Sequence, residues 1–327
     1  MSTTAGLSAA ISRAPFDLRL DASSGGLIWA ITASLFALFA LVAPGFLTFV
    51  NLTSILSEIA LFGFLAVALT PVIISGNIDI SVGAVLGMAA CTCISLMPNG
   101  MVTAISAALA AGLLVGLVNG LLMEKAGINS FIVTLATMIG TRGLTFYSIG
   151  DRSVMTTDPD FLAIGNSNIG IVPVRTVLLI AIAVLMGWML RSTSHGRYTF
   201  AIGGNRVAAV DAGVRVSRHV IANMMICSLL AATGGVAMAS QLGAVSPAFG
   251  AQYELWAITA VVLGGTRLRG GSGSILGSLG AVATLAMLHN GMILLQIQSF
   301  YIPIVIGCAL ILALVLDRQP IGLRNRE

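Results

Sequence analysis

Long runs of apolar residues, separated by short polar segments, constrain the fold of this chain more than any other feature of its sequence. A helix needs about 20 predominantly apolar residues to cross the hydrocarbon core of a bilayer. Nine segments of 17 or more residues follow that pattern, and a shorter tenth lies within 241–275, where the boundaries stay open. They are 27–43, 54–74, 80–97, 101–123, 130–149, 174–190, 219–240, 254–264, 274–295 and 300–316. The sequence therefore predicts an all-α, polytopic membrane protein with about ten transmembrane helices.

Charged residues are too scarce for a water-soluble protein. They make up 9% of the 327 residues, whereas hydrophobic residues make up 57% and the mean hydropathy is +1.01. Soluble domains carry about 25% charged residues, so this chain cannot cover a surface that faces water. Membrane lipid is therefore the expected neighbour of its helices. The first apolar segment has no cleavage motif after it, which predicts an uncleaved span.

The sequence lacks the residue patterns of an enzyme. The single lysine, Lys125, has no GxxxxGK context, so no ATP-binding loop is predicted. The three histidines are scattered without metal-ligand spacing, and all four cysteines lie inside apolar segments. No serine stands in a nucleophile-elbow motif. We therefore predict that the chain is not an enzyme and has no catalytic residue, no metal site and no cofactor of its own.

The basic residues predict which side of the membrane each segment faces. With a cytoplasmic N-terminus and ten spans, thirteen Lys and Arg residues fall on one side, Arg152 and Arg175 on the other, and Arg142 inside a span. Cytoplasmic segments carry such an excess, so the tails 1–26 and 318–327 are predicted to be cytoplasmic. The net charge of +4 follows from this topology and does not indicate nucleic-acid binding. The thirteen are Arg13, Arg19, Lys125, Arg191, Arg197, Arg206, Arg215, Arg218, Arg267, Arg269, Arg318, Arg324 and Arg326.

Two connecting segments are longer than the others. Residues 150–173 form a predicted periplasmic loop, and residues 191–218 form a predicted cytoplasmic loop. In the second loop, Asn205 can cap a short helix over 206–212, which Gly213 ends. The residues alone leave two interpretations open for this helix: an ordinary amphipathic surface helix, or a docking site for a cytoplasmic partner.

Asp79 lies in the stretch "SGNIDISVG" among apolar residues, where a carboxylate is costly. Gly76 and Asn77 predict an interrupted helix near 76–80, with Asp79 at the start of the half-helix that follows. Three roles are open: Asp79 carries protons, binds a substrate or ion, or holds the break. We favour capping with help from Ser81, because a carboxylate suits the positive end of a helix. The other charges within spans are Glu58, Arg142 and Glu254.

Glycines recur at intervals of four residues in several spans. "GLLVGLVNG" places Gly112, Gly116 and Gly120 on one face of a helix. Small residues at this spacing let two helices approach closely. We therefore predict close helix packing at this face.

Four motifs resemble those of a known family. They are "GNIDISVGAVLGMAA", "SFIVTLATMIGTRGL", "GRYTFAIGGNRVAAVDAGVRV" and "ITAVVLGGTRLRGGSGSILGSLGA". In their order and spacing they resemble the membrane permeases of bacterial ribose-type ABC importers, which include permeases for ribose, xylose, arabinose, galactose, rhamnose and autoinducer-2. The resemblance covers about residues 27–317, the predicted permease domain. It does not single out one sugar.

The resemblance implies an importer subunit in the bacterial inner membrane. It implies a dimer with a second permease, either a copy or a relative, a cytoplasmic ABC ATPase that binds ATP and Mg²⁺, and a periplasmic substrate-binding protein. In this family the loop after the sixth span contacts the ATPase, which favours the docking interpretation of 191–218. The implied ATPase-coupling residues are Gly196, Arg197, Gly203, Gly204, Asn205, Arg206, Ala208, Ala209, Asp211 and Gly213.

The expected function is translocation of a monosaccharide or a similar small polar solute, driven by the partner ATPase. The polar residues within or beside the spans are candidates for the translocation pathway: Asn77, Asp79, Ser81, Asn119, Arg142 and Asn290. Asn77 stands where many family members have glycine. The alternative is a proton-coupled secondary transporter in which Asp79, Glu58 or Glu254 carries the proton.

Overall fold

The computed structural model describes residues 22–298 and 300–317. Its thirteen α-helices in that part of the chain are α1 Ala22–Val42, α2 Phe49–Ile74, α3 Val82–Leu96, α4 Met101–Glu124, α5 Ser130–Ile149, α6 Pro159–Asn166, α7 Val174–Ser192, α8 Ser194–Gly204, α9 Arg206–Asp211, α10 Val216–Leu242, α11 Tyr253–Leu263, α12 Ile275–Leu294 and α13 Tyr301–Asp317. Each of the ten predicted segments corresponds to one of these helices.

Seven helical stretches of the described residues are long and apolar enough to cross a membrane: α2, α4, α5, α7, α10, α12, and α3 together with the 3₁₀ turn Met97–Asn99 that follows it. The apolar part of α1 and the whole of α11 are shorter. The prediction of a helical, polytopic membrane protein is therefore confirmed, and the count of ten crossings stays a prediction. Helix α1 begins at Ala22, inside the predicted tail 1–26, whereas residues 1–21 and the tail 318–327 lie outside the described residues.

Helix α10 lies at the centre and packs against α2, α3 and α4. The glycine face of α4 meets it as predicted. A Cβ atom added at Gly116 would lie 2.6 Å from the carbonyl oxygen of Met224, and one added at Gly120 would lie 2.8 Å from the Cα of Ile221. These glycines bring the two backbones together, so the predicted close packing is confirmed.

Helix α5 leaves a broad apolar face uncovered by the other described residues. Its exposed residues are Phe131, Ile132, Ile139, Leu144, Phe146 and Tyr147. Large apolar faces of this kind meet lipid or another subunit in a membrane protein.

The predicted periplasmic loop 150–173 contains structure that the sequence interpretation missed. Strand β1, Val154–Met155, pairs antiparallel with β4, Ala244–Val245, and β2, Asn168–Ile169, pairs with β3, Val172–Pro173. Between them lies α6, which Asp158 caps: its carboxylate accepts a hydrogen bond from the backbone of Phe161. Pro159 follows at the first helical position, where proline is favoured.

Two helices at the opposite end of the bundle, α8 and α9, occupy the predicted loop 191–218. Helix α9 was predicted: the side chain of Asn205 accepts from the backbone N–H of Ala208 at 3.0 Å, and Gly213 has φ +81°. Helix α8 was missed, although Thr193 caps it by accepting from the backbone of Gly196. We call this end of the molecule the α8–α9 end.

Two non-helical segments lead to helices that begin inside the bundle. The first, 75–81, runs from the end of α2 to the start of α3, and the second, 243–252, runs from the end of α10 to the start of α11. Helix α11 has 11 residues and is about 16 Å long, about half of a 30 Å hydrocarbon core. A Cβ atom added at Gly83 would lie 2.2 Å from Oε2 of Glu254. The N-termini of α3 and α11 therefore meet inside the protein.

Candidate functional site

Three glycine-containing segments meet where α2 ends, at the α8–α9 end of the bundle. The backbone N–H of Gly271 donates to the carbonyl oxygen of Ile74 at 2.8 Å. A Cβ atom added at Gly203 would lie 1.8 Å from that same oxygen, and one at Gly270 would lie 2.8 Å from the backbone nitrogen of Gly76. We call this contact of 74–76, 203–204 and 270–271 the glycine junction. It places the last turn of α8 directly against the end of α2 and against the loop that leads to α12.

Glycine is required in the junction for two reasons. The residues Gly76, Gly270 and Gly271 have φ values of +78°, +85° and +76°, a region that side chains with a Cβ atom disfavour. Backbone atoms also approach within distances that leave no room for a methyl group, as at Gly203. The sequence therefore fixes the position of α8 through backbone contacts that only glycine permits.

The predicted ATPase-coupling residues divide into an inner and an outer set. Gly196 and Ala209 are buried, Gly203 is half-buried, and a Cβ at Gly196 would lie 2.2 Å from the carbonyl oxygen of Leu190. The outer residues form an exposed surface on α8, α9 and the turn that follows, which we call the coupling surface. They are Arg197, Gly204, Asn205, Arg206, Ala208, Asp211 and Gly213. Such a surface is available to a partner, while the inner set connects it to the bundle.

A histidine pair joins α8 to α10 beneath the coupling surface. Nδ1 of His195 lies 2.9 Å from Nδ1 of His219, and Nε2 of His195 lies 2.8 Å from Oδ1 of Asn223. The amide of Asn223 donates in turn to the hydroxyl of Thr199 at 3.3 Å. Sequence spacing did not reveal this pair, because its two histidines are 24 residues apart. The contacts tie α8 to the central helix.

An ion pair ties α9 to α4. Nη2 of Arg206 donates to both carboxylate oxygens of Glu124, at 2.9 and 2.7 Å. The side chain of Glu124 is 3% exposed, whereas that of Arg206 is 50% exposed. Arg206 was expected on the coupling surface, but Glu124 was not among the candidate residues. Glu124 precedes Lys125 at the end of a span, where charged residues are common because the chain enters the membrane interface. No feature of the sequence therefore distinguished it.

Asp79 lies in a buried polar cluster between α3, α4 and α10. Its Oδ1 accepts from the backbone N–H of Ser81 at 2.8 Å and from the hydroxyl of Ser81 at 2.6 Å. The amide of Asn119 on α4 donates to that hydroxyl oxygen at 3.0 Å. These contacts hold the turn immediately before α3. The three side chains are completely buried within the chain, so none of them lines an open path here.

The cluster retains unused hydrogen-bonding capacity. Within 22–298 and 300–317, neither Oδ2 of Asp79 nor Oδ1 of Asn119 has a hydrogen-bond partner. Asn77, two residues before Asp79, is half-buried and donates to the hydroxyl of Ser75 at 3.2 Å. Asn77 therefore lies between the glycine junction and the Asp79 cluster.

Arg142 on α5 faces the meeting point of α3 and α11. Its Nη2 donates to the carbonyl oxygen of Gly250 at 3.2 Å and lies 3.9 Å from Oε2 of Glu254. The side chain of Arg142 is 21% exposed and that of Glu254 is 9% exposed. Both helix N-termini carry partial positive charge, so Glu254 complements them as well as Arg142. This is a loosely paired, partly accessible polar site well inside the bundle, which we call the α3–α11 junction.

Asn290 lies apart from the other pathway candidates. Its amide and that of Asn51 bond reciprocally, at 2.8 and 3.0 Å, between α12 and the start of α2. Both side chains are buried, and the pair holds two helix ends together. The structure therefore brings Asp79, Ser81 and Asn119 together, places Arg142 beside Glu254, and leaves Asn290 in a separate structural contact.

Glu58 lies at the end of the bundle opposite α8 and α9. Its carboxylate contacts Nδ1 of His289 on α12. It also lines a cavity of about 400 Å³ together with other polar residues of α2, α7, α10 and the segment around α6. These include Ser57, Asn166, Asn168, Arg175 and Gln241. Glu58, Asp79 and Glu254, the three proton-carrier candidates, therefore occupy three separate environments.

Comparison with known proteins identifies the family. The family described as "Branched-chain amino acid transport system / permease component" matches residues 51–314. The chain is 40% identical to the ribose import permease protein RbsC of Bacillus subtilis over 280 residues, covering 84% of this chain and 87% of that protein. No solved structure matches it.

Two relatives from Escherichia coli (strain K12) extend this similarity. The ribose import permease protein RbsC is 36% identical over 292 residues, covering 87% of this chain and 91% of the relative. The L-arabinose transport system permease protein AraH is 36% identical over 303 residues, covering 90% and 92%. With the seven apolar helices, the family identifies a multi-pass membrane protein. The predicted resemblance is confirmed, and the chain belongs to the permease family of ribose-type ABC importers.

Proposed function

We propose that this chain is the membrane-spanning subunit of an ATP-driven importer for a monosaccharide. The names of its relatives, which include permeases for ribose and L-arabinose, make a pentose the first substrate to test. ATP and Mg²⁺ bind to a separate ABC ATPase subunit. A periplasmic binding protein delivers the sugar, and a second permease, a copy or a relative, completes the pathway in the bacterial inner membrane.

The α8–α9 end faces the cytoplasm in this proposal. It carries Arg191, Arg197, Arg206, Arg215 and Arg218, which belong to the thirteen basic residues expected there. Positive residues concentrate in cytoplasmic segments. The coupling surface is then accessible to the ATPase, and the apolar face of α5 meets lipid or the second permease.

The observation that carries the proposal is the glycine junction. Through it, the helix whose outer face forms the coupling surface touches the end of α2 and the loop before α12 without intervening side chains. A displacement of α8 by an ATPase therefore reaches both helices directly, since closely packed backbones have no slack to absorb it. The non-helical segment 75–81 continues from this contact to the Asp79 cluster and the start of α3.

The α3–α11 junction is the part of the interior that we assign to the pathway. Arg142 lies on α5 beside the exposed apolar face and is itself partly accessible. If a second permease covers that face, Arg142 and Glu254 border the interface between the two subunits. The transported sugar forms weak, transient contacts with such groups, and its selection takes place mainly in the binding protein.

Co-purification tests the proposal. The chain is extracted from its native membrane in mild detergent, and its partners are identified by mass spectrometry. We expect a stoichiometric ATPase with a Walker motif, which is lost on Asn205→Pro but retained on Lys125→Ala at the same end. Uptake of ribose or arabinose into vesicles should then require ATP and the binding protein.

A specific observation supports a second candidate function, that of a proton-coupled transporter. The carboxylates of Asp79 and Glu254 are buried, and each has an oxygen without a hydrogen-bond partner among the described residues. A chain that purifies alone, and that takes up sugar under a proton gradient without ATP, would support this candidate and contradict the importer proposal.

A further inference from the structure

The ion pair between Arg206 and Glu124 has a feature that local helix stability does not explain. Arg206 is the first residue of α9, and Glu124 is the last residue of α4. A positive charge is unfavourable at a helix N-terminus, and a negative charge is unfavourable at a C-terminus. Each charge therefore lies where its own helix disfavours it, and only the pairing between the two helices compensates both.

Burial makes this pair difficult to separate. The Glu124 side chain is 3% exposed, and both of its oxygens accept hydrogen bonds from Arg206. If α9 moved away from α4, a shielded carboxylate would lose its partner, which is unfavourable. The two helices are therefore expected to move together, even though the guanidinium is half accessible to water.

Helix α4 leads from this pair to the Asp79 cluster. Asn119, five residues before Glu124 on α4, donates to Ser81, and Ser81 donates to Asp79. The glycine junction reaches the same segment from its other end, through Gly76. The segment 75–81 is thus held at one end by α8 and at the other end by the helix to which α9 is tied.

We propose that Glu124 and Arg206 are positioning residues that transmit movement of the coupling surface to the start of α3 through α4. This inference rests on the proposed function, because it assigns the pair a part in coupling to the ATPase. It makes Arg206 a contact within the permease, whereas the family resemblance implied a contact with the ATPase. Glu124 acquires a role that its sequence position did not predict.

Charge reversal tests the inference in the complete transporter, reconstituted in vesicles with its ATPase and binding protein. The variants are Arg206→Glu, Glu124→Arg and the double reversal, with Lys125→Glu as a control of equal charge change on the neighbouring exposed residue. We measure sugar molecules imported per ATP hydrolysed. Each single reversal should lower this ratio at least about fivefold, the lower end of usual coupling effects. The control should stay within about twofold of the unmodified protein.

The double reversal separates the pair from a direct ATPase contact. If the pair transmits movement, the double variant should recover at least half of the original ratio, because the attraction is restored with opposite signs. A contact between Arg206 and the ATPase would not recover when Glu124 is changed. If a charge reversal prevents assembly, the number of sugar molecules imported per ATP is measured instead for Glu124→Gln, which removes the charge but keeps the side-chain size.

The outcomes for the inference and for the proposed function are distinguishable. ATP-driven uptake that is unaffected by the single reversals and by Glu124→Gln would overturn the inference alone. A double variant no better than the single ones, with normal assembly, would do the same. An unmodified chain that shows no ATP-dependent uptake would overturn the proposed function, and the inference with it.

Discussion

The glycine junction makes a sharp prediction at two neighbouring residues. Alanine at position 203 would place its Cβ atom 1.8 Å from the carbonyl oxygen of Ile74 and 2.5 Å from the backbone nitrogen of Gly271. Alanine at position 204 would meet no described residue within 4 Å. The two substitutions add the same methyl group to the same turn of α8. Gly203→Ala and Gly204→Ala therefore separate the contact itself from the general effect of replacing glycine.

The size of the effect follows from these distances. Real Cβ atoms do not approach within 3.0 Å, so the gap of 1.8 Å at position 203 has to open by about 1.2 Å. Overpacking of this kind costs about 1–3 kcal/mol. The hydrogen bond from Gly271 to Ile74 lies in the same gap, and its loss adds about 1 kcal/mol. Alanine is favoured over glycine in a helix by about 0.5–1 kcal/mol, so Gly203→Ala should destabilise by about 1–3 kcal/mol.

Gly204→Ala should be neutral or slightly stabilising, since only the helix preference acts there. Thermal unfolding of the purified permease in detergent provides the comparison. A difference of about 1–4 kcal/mol between the two variants corresponds to about 2 °C or more in melting temperature. Because Gly203 lies in the path from the coupling surface to α2, its variant should also reduce ATP-driven uptake.

The result that would refute this reasoning is a melting temperature of Gly203→Ala equal to or above that of Gly204→Ala. It would mean that α8 does not rest against the end of α2. If Gly203→Ala lowers the melting temperature but leaves uptake normal, the junction stabilises the fold, and its role in coupling is contradicted.

Three further predictions concern the interior. Asp79→Asn should retain sugar uptake, because the amide oxygen of asparagine can still accept from Ser81. Asp79→Ala has no such oxygen and should lose assembly. Loss of uptake in Asp79→Asn would favour proton transfer by Asp79. Arg142→Gln should lower the free energy of unfolding more than Glu254→Gln does, because it leaves the less exposed of the two charges unpaired. Equal melting temperatures of the two variants would contradict this. Gly116→Ala should lower the melting temperature by several degrees, since its Cβ would lie 2.6 Å from a backbone oxygen of α10. Gly143→Ala is the control, because a Cβ atom there would meet no described residue within 4 Å.

The sequence predicted the helices well wherever length and apolar content determine them. All ten apolar segments became helices, including α11, whose 11 residues stop short of a full span. Helix α9 was predicted because Asn205 and Gly213 mark both of its ends. Helix α8 has the sequence SHGRYTFAIGG. Its three glycines and its histidine are poor helix formers, so the sequence did not predict this helix. It exists because it packs against α2 and α10, which a local pattern cannot express.

The interior sites were predicted by residue type and then separated by the structure. A buried amide or charge in a span is unusual, so Asn119, Arg142 and Asn290 received the same interpretation from sequence. The direction in which each side chain points decides its role: Asn119 donates to Ser81, whereas Asn290 donates to Asn51. Glu124 illustrates the opposite case. Its position at the end of a span is ordinary, and only the approach of α9 gives it a partner.

The arrangement of α3 and α11 explains why the coupling surface and the interior are connected at so few points. Each helix begins inside the protein and is preceded by a non-helical segment, 75–81 or 243–252. The first of these segments is fixed at both of its ends. The glycine junction fixes the start of the first segment, and Asn119 with Ser81 fixes its end. Under the proposed coupling, movement of α8 and α9 shifts the start of α3 against Glu254, where the N-termini of α3 and α11 meet.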